Sequence, residues 1–157
     1  MKNITKKPTQ AGFTLIEILI VIGIIAILAA IVLVAVNPAK QFEKANNAQR
    51  SSNVNAILNA VGQYMVDNQG NPPSGIPTTA AEIASGSGKA NICIALVPTY
   101  LAALPGDPDP TKSSAQSITS CTTYNTGYEI VKDSTTNRIT VTAVNTQGSG
   151  VDITVTR

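Results

Sequence analysis

Apolar residues fall into three patterns along the chain, and each predicts a different element. From Phe13 to Val36 the sequence FTLIEILIVIGIIAILAAIVLVAV is an almost unbroken apolar run of 24 residues in which Glu17 is the only charge. As a helix it is roughly 36 Å long at ~1.5 Å per residue, enough to cross a ~30 Å hydrocarbon core. After Asn37-Pro38 the apolar positions thin out to Phe42, Ala45, Ala48, Val54, Ile57, Leu58, Val61, Tyr64 and Met65. Steps of three and four predict an amphipathic helix with one buried stripe, stopped by Gly70 and Pro72-Pro73. Its centre, NNAQRSSN, holds weak helix formers and no large apolar side chain. The two segments are expected to form one long helix from Phe13 to about Gln69, kinked near Pro38.

The third pattern is alternation. GYEIV (127–131), RITVTAV (138–144) and VDITVT (151–156) are rich in β-branched residues and separated by the turn-like KDSTTN and NTQGSG. They predict a three-stranded antiparallel meander over 127–157. Between helix and strands, 70–126 reads as a connecting region, with a helical turn expected at Ala80–Ala84 and a short helix or turn from Leu96 to Leu104. The fold class is therefore α+β, a long N-terminal helix packed against a small antiparallel sheet. The head of about 88 residues relies on the helix for its core.

Charge sharpens the picture at the N-terminus. Lys2, Lys6 and Lys7 all precede the apolar run, and from Asn37 onward eight basic residues balance eight acidic ones. The three lysines are expected to stay cytoplasmic, which places the residues after the span outside. The overall +2 thus reflects the leader, and no basic patch is dense enough for nucleic acid. The chain has no His, which excludes histidine-based acid–base, nucleophilic and metal chemistry. No cleft signature supports an enzyme, and no cofactor is implied.

An isolated carboxylate in hydrocarbon is costly unless paired, so Glu17 requires an explanation. The stretch KKPTQAGFTLIEILIVIGIIAILAAIVL resembles the N-terminus of the type IV pilin family, including the type II secretion pseudopilins. It has a short basic leader, Gly12 directly before Phe13, then Thr-Leu-Ile-Glu and an unbroken apolar helix. The resemblance implies that a prepilin peptidase removes residues 1–12 by cutting between Gly12 and Phe13 and methylates the new Phe13 amine. It implies that the 13–36 helix becomes the assembly stem, with 37–69 as its amphipathic continuation. Glu17 would then meet the terminal amine of a neighbouring subunit. The implied partners are identical subunits in a helical homopolymer, the prepilin peptidase, the inner membrane before assembly and, indirectly, an assembly platform and ATPase. The expected product is an extracellular type IV pilus. The alternatives are a secretion pseudopilus or, from another class, a signal-anchored monomeric binding module. Many relatives carry a helix-breaking proline inside the apolar segment. Here only Gly23 lies inside and Pro38 stands at the exit, so Gly23 and Pro38 are the candidate break points. LVPTYLAALPGDP also resembles the segment that follows the stem in pseudopilin-like proteins.

Three further candidates remain. Cys93 and Cys121 are the only cysteines. Outside the membrane they can form a disulfide, the alternative being two separate thiols. Asp107 and Asp109 in PGDPDP are loop carboxylates of the kind that ligate calcium, as in some pseudopilin heads, or they are solvated aspartates of a proline-rich turn. The last 47 residues contain 12 Thr and 6 Ser, compatible with O-glycosylation or simply with exposed strands.

Overall fold

The computed structural model describes residues 12–144, 146–148 and 150–157; the leader up to Ala11 lies outside the described residues. The chain divides into a first unit ending at Ala39 and a second running from Lys40 to Arg157.

The first unit is built on α1 (Leu15–Val36). Thr14 is its N-cap in an extended conformation, and Glu17 completes a capping box with it, so two orphan donors of the first turn are satisfied locally. Every residue of α1 is exposed. Gly23 does not interrupt the helix, which runs unbroken through it. The break comes at Asn37, which ends α1 in the left-handed region at φ 44°. Pro38 then opens α2 (Pro38–Asp67) as its first residue. A proline disfavours helical geometry in the residue before it, and Asn tolerates the left-handed region better than most side chains. The expected single kinked helix is thus two helices separated by one residue.

The second unit contains most of α2 and a four-stranded antiparallel sheet in the order β1-β4-β5-β6, with β1 at Ala81–Ala84, β4 at Asn125–Lys132, β5 at Ile139–Ala143 and β6 at Ile153–Thr156. Between β1 and β4 lie a short helix, α3 (Cys93–Leu96), and a two-stranded ribbon of β2 (Leu104–Pro105) and β3 (Ser117–Ile118). The three expected strands are present as β4, β5 and β6. Their register pairs Val141 with Ile130 on one side and with Val155 on the other. Alternation on β4 buries Thr126, Tyr128 and Ile130, and on β5 it buries Ile139, Val141 and Ala143. Tyr128, Ile130, Ile139, Val141 and Ala143 share one core with Val54, Ile57, Leu58 and Val61 of α2 and with Ile83, Ile92, Leu96 and Leu104. Each such aliphatic group contributes roughly 1.5–3 kcal/mol by leaving water.

Several expectations are corrected. Ala80–Ala84 is not a helical turn, because Ala81–Ala84 forms β1, paired to β4 with an irregularity between Glu82 and Ala84. Its Ala and Glu favour helix, but pairing to β4 and burial of Ile83 override that local preference. The sheet consequently has four strands, and the connecting region holds structure of its own. Of the short helix or turn expected from Leu96 to Leu104, the helix ends at Leu96 and the turn is present at 97–100. On α2, the N-terminal part of the expected stripe is not buried: Phe42 is 71% exposed, and Ala45 and Ala48 are also exposed. The buried face of α2 starts at Arg50.

Candidate assembly site

Two sites emerge, one in each unit. The first is the start of α1. Gly12 and Phe13 precede the helix without regular structure, and Phe13 is 86% exposed. Thr14 N–H and Thr14 Oγ1 both donate to Glu17 Oε2 at 2.8 Å, and Glu17 N–H donates to Thr14 Oγ1 at 3.3 Å. The carboxylate is therefore held one turn from Phe13, at the helix end where the backbone dipole favours negative charge. The 22 exposed residues of α1, Glu17 among them, form the one described helix long and apolar enough to cross a membrane. An exposed apolar surface of that size requires lipid or other apolar helices around it.

The second site is a buried polar seam under the head, in the weak-helix stretch of α2. Arg50 is fully buried and forks onto Asp107, with Nε donating to Oδ2 and Nη2 to Oδ1, each at 2.8 Å. Asp107 itself is 1% exposed, and its Oδ1 also accepts the Asp109 backbone N–H at 2.8 Å. Arg50 Nη1 donates to Asn47 Oδ1, Asn47 Nδ2 to the Gln147 carbonyl, and Gln147 Nε2 to Asp109 Oδ2 at 3.4 Å. The bonds close a ring through α2, the loop after β2 and the loop before β6. Asn53 extends it, donating to the Gly106 carbonyl and to the Tyr128 hydroxyl. Gly106 is needed because any Cβ there would run into the Ala115 carbonyl.

The electrostatics follow from this geometry. The hydrogen bond to Asp107 raises the Arg50 guanidinium above its usual value, against the opposing effect of burial. Burial pushes the Tyr128 phenol up to about 12. The Thr111 backbone N–H holds Asp109 below the ordinary carboxylate range. No buried side-chain nitrogen or oxygen among the described residues lacks a partner, the condition under which a buried ion pair is tolerated.

Asp107 is accordingly no solvated turn residue. Arg50 occupies both of its oxygens, while Asp109 caps the following turn through Thr111. The two carboxylates do not converge on a shared open site, and no group of three His, Cys, Asp or Glu suited to a metal occurs among the described residues. Cys93 and Cys121 are joined as a disulfide with Cα atoms 5.4 Å apart. It closes the segment that carries the β2–β3 ribbon and Asp107.

Arg50, Asn53, Asn47, Tyr128 and Gln147 are absent from the residues singled out in the sequence. The available signal was the lapse of the apolar stripe at NNAQRSSN, where α2 buries an arginine in place of a hydrophobe.

The pattern described as the prokaryotic N-terminal methylation motif matches residues 7–33. The chain is 40% identical over 67 residues to the type II secretion system core protein G of Aeromonas hydrophila, covering 43% of this chain and 46% of that protein. It is 43% identical over 63 residues to the protein of the same name from Escherichia coli strain K12, covering 40% of this chain and 42% of that protein. The chain thus spans somewhat less than half the length of the relatives it matches. No solved structure matches it significantly. Motif, relatives and fold together support placing the chain in the type IV pilin and pseudopilin family.

Proposed function

We propose that this protein is a structural subunit, not an enzyme, of a helical filament of the type IV pilin class. The observation that carries this reading is the matched methylation motif at 7–33 leading into a fully exposed apolar helix. In this reading a prepilin peptidase cuts between Gly12 and Phe13, and Phe13 is N-methylated. The subunit waits in the cytoplasmic membrane with its N-terminus inside and its head outside. It then passes through an assembly platform driven by an ATPase into a homopolymer whose stems bury one another. The contact is heterologous and propagates.

Glu17 acts in two stages. In the membrane its carboxylate rests on Thr14. During assembly it pairs with the Phe13 amine of a neighbour, which relieves its remaining desolvation penalty. Gly23 and Pro38 bound the segment where the stem loosens in the filament; the left-handed Asn37 before Pro38 supports the exit as its weaker point.

The named relatives support the secretion pseudopilus over the adhesive or motile pilus as the filament in question. Intact mass and N-terminal sequencing of the protein from its native cells tests the core of the proposal. The expected result is a chain of 145 residues starting at N-methylated Phe13. A chain still starting at Met1 in cells with active prepilin peptidase overturns it. Deletion of the gene separates the two filaments: retained exoproteins with unchanged surface filaments support the pseudopilus, and lost surface filaments with normal secretion support the pilus.

A further inference from the structure

The first turns of α2 carry a cleft that neither the apolar stem nor the head core explains. It has a volume of about 280 Å³ and is lined by Lys40, Glu43, Lys44, Asn47, Gln147 and Gly148. Lys40, Lys44 and Asn47 follow one another at helical spacing and share one face. The opposite wall is the loop before β6, fastened to the helix by two hydrogen bonds: Asn46 Nδ2 to Gln147 Oε1 at 2.8 Å and Asn47 Nδ2 to the Gln147 carbonyl at 2.7 Å. Gly148 sits so close to Glu43 that any Cβ would strike the Glu43 carboxylate. The cleft therefore has a fixed floor, two ammonium groups and one carboxylate drawn against its far wall.

We propose that this cleft binds the phosphate of an anionic phospholipid on the head side of the membrane. The proposal rests on the reading of α1 as a bilayer span. Lys40 follows Val36 by four residues, so its Cα lies within ~14 Å of the end of the apolar helix whatever the local geometry. Lys44 is one helical turn, ~6 Å, further on. The headgroup layer beyond the hydrocarbon is roughly 5–8 Å thick on each face, and a lysine reaches into it along its flexible stem. The charge supplied, two lysines beside one carboxylate, is complementary to a phosphate. Such an anchor would hold the membrane-resident subunit at a fixed depth and be given up when the stem leaves the bilayer.

The test uses the full-length chain reconstituted in phosphatidylcholine vesicles with and without phosphatidylglycerol. Spin-labelled lipids of both kinds report which one is retained at the protein boundary. Lys2, Lys6 and Lys7 attract the same anionic lipid, so the readout is the change caused by K40Q/K44Q. The preference for phosphatidylglycerol is expected to fall about thirtyfold in that double variant, the attraction of two basic residues at an anionic surface. It should be retained in K40R/K44R and unchanged in Lys132→Gln. An unchanged preference in K40Q/K44Q overturns the lipid site while leaving the spanning reading intact. A wild-type chain that inserts into neither bilayer overturns the spanning reading, and this proposal with it.

Discussion

The two helices make opposite use of the same secondary structure. α1 has 22 residues, none of them buried, and its single charge is satisfied at its own N-cap. α2 is mostly polar in sequence, yet it buries Arg50, Asn53, Val54, Ile57, Leu58, Ala60 and Val61. Among the described residues the apolar helix buries none of its side chains, and the polar helix is the backbone of the core. Hydrophobicity alone therefore does not mark the inside of this protein. A helix apolar on every side has no face to prefer and is completed by lipid or by other copies. A helix with one stripe is completed by its own head.

The sharpest way to break this comparison is Arg50→Ala. It leaves the buried Asp107 carboxylate without its cation, and the head should lose about 3–5 kcal/mol. Thermal unfolding of the detergent-solubilised chain, followed by tyrosine fluorescence, measures it. Replacing both partners, Arg50→Met with Asp107→Leu, should recover most of that loss, whereas an equal loss in the double variant would mean that the ring matters as a whole. Reduction of Cys93–Cys121 comes next. It reopens a loop of 28 residues and should cost roughly 3–4 kcal/mol by loop entropy, read as a lower denaturant midpoint in dithiothreitol.

A matched pair tests the helices directly. Ile57→Ala removes a fully buried side chain and should cost about 2–5 kcal/mol. Ile24→Ala, on a residue 53% exposed in α1, should leave head unfolding unchanged to within ~0.5 kcal/mol. Equal effects would overturn the division of labour between the two helices.

Alkali offers a milder probe. The Tyr128 phenol is raised to about 12 in the folded protein, against ~10 in the unfolded chain. The stability it contributes is full below pH ~10 and is lost as pH rises through about 12. Tyr128→Phe should flatten part of that loss in unfolding curves collected across the window. The smallest effect belongs to Phe42→Ser. Its side chain is exposed, so head stability should move by less than ~0.5 kcal/mol, while filament yield in native cells remains free to fall if neighbouring subunits cover it.

How far the sequence could be read differs between regions for the same reasons. The stem, its N-terminal motif and the three C-terminal strands announce themselves because their patterns are local and continuous, in runs, at fixed spacings or in strict alternation. Strand β1 does not. AEIA carries helix-favouring residues and becomes a strand only because β4 offers it a ladder. The exposure of Phe42 was hidden too, since a stripe shows which residues share a face but not where the covering head ends.

By itself the sequence determined the α+β class, the apolar stem, the position of Glu17 beside Phe13 and the pair of cysteines. Each follows from residues near one another or from simple counting. Only the tertiary structure decided that Arg50 would find Asp107, 57 positions away, that Asn47 and Gln147 would close the ring, and that the carboxylate suspected of holding calcium would hold an arginine instead. A buried charge is permitted by its partners, and those partners are brought together by chain topology, which no local pattern encodes.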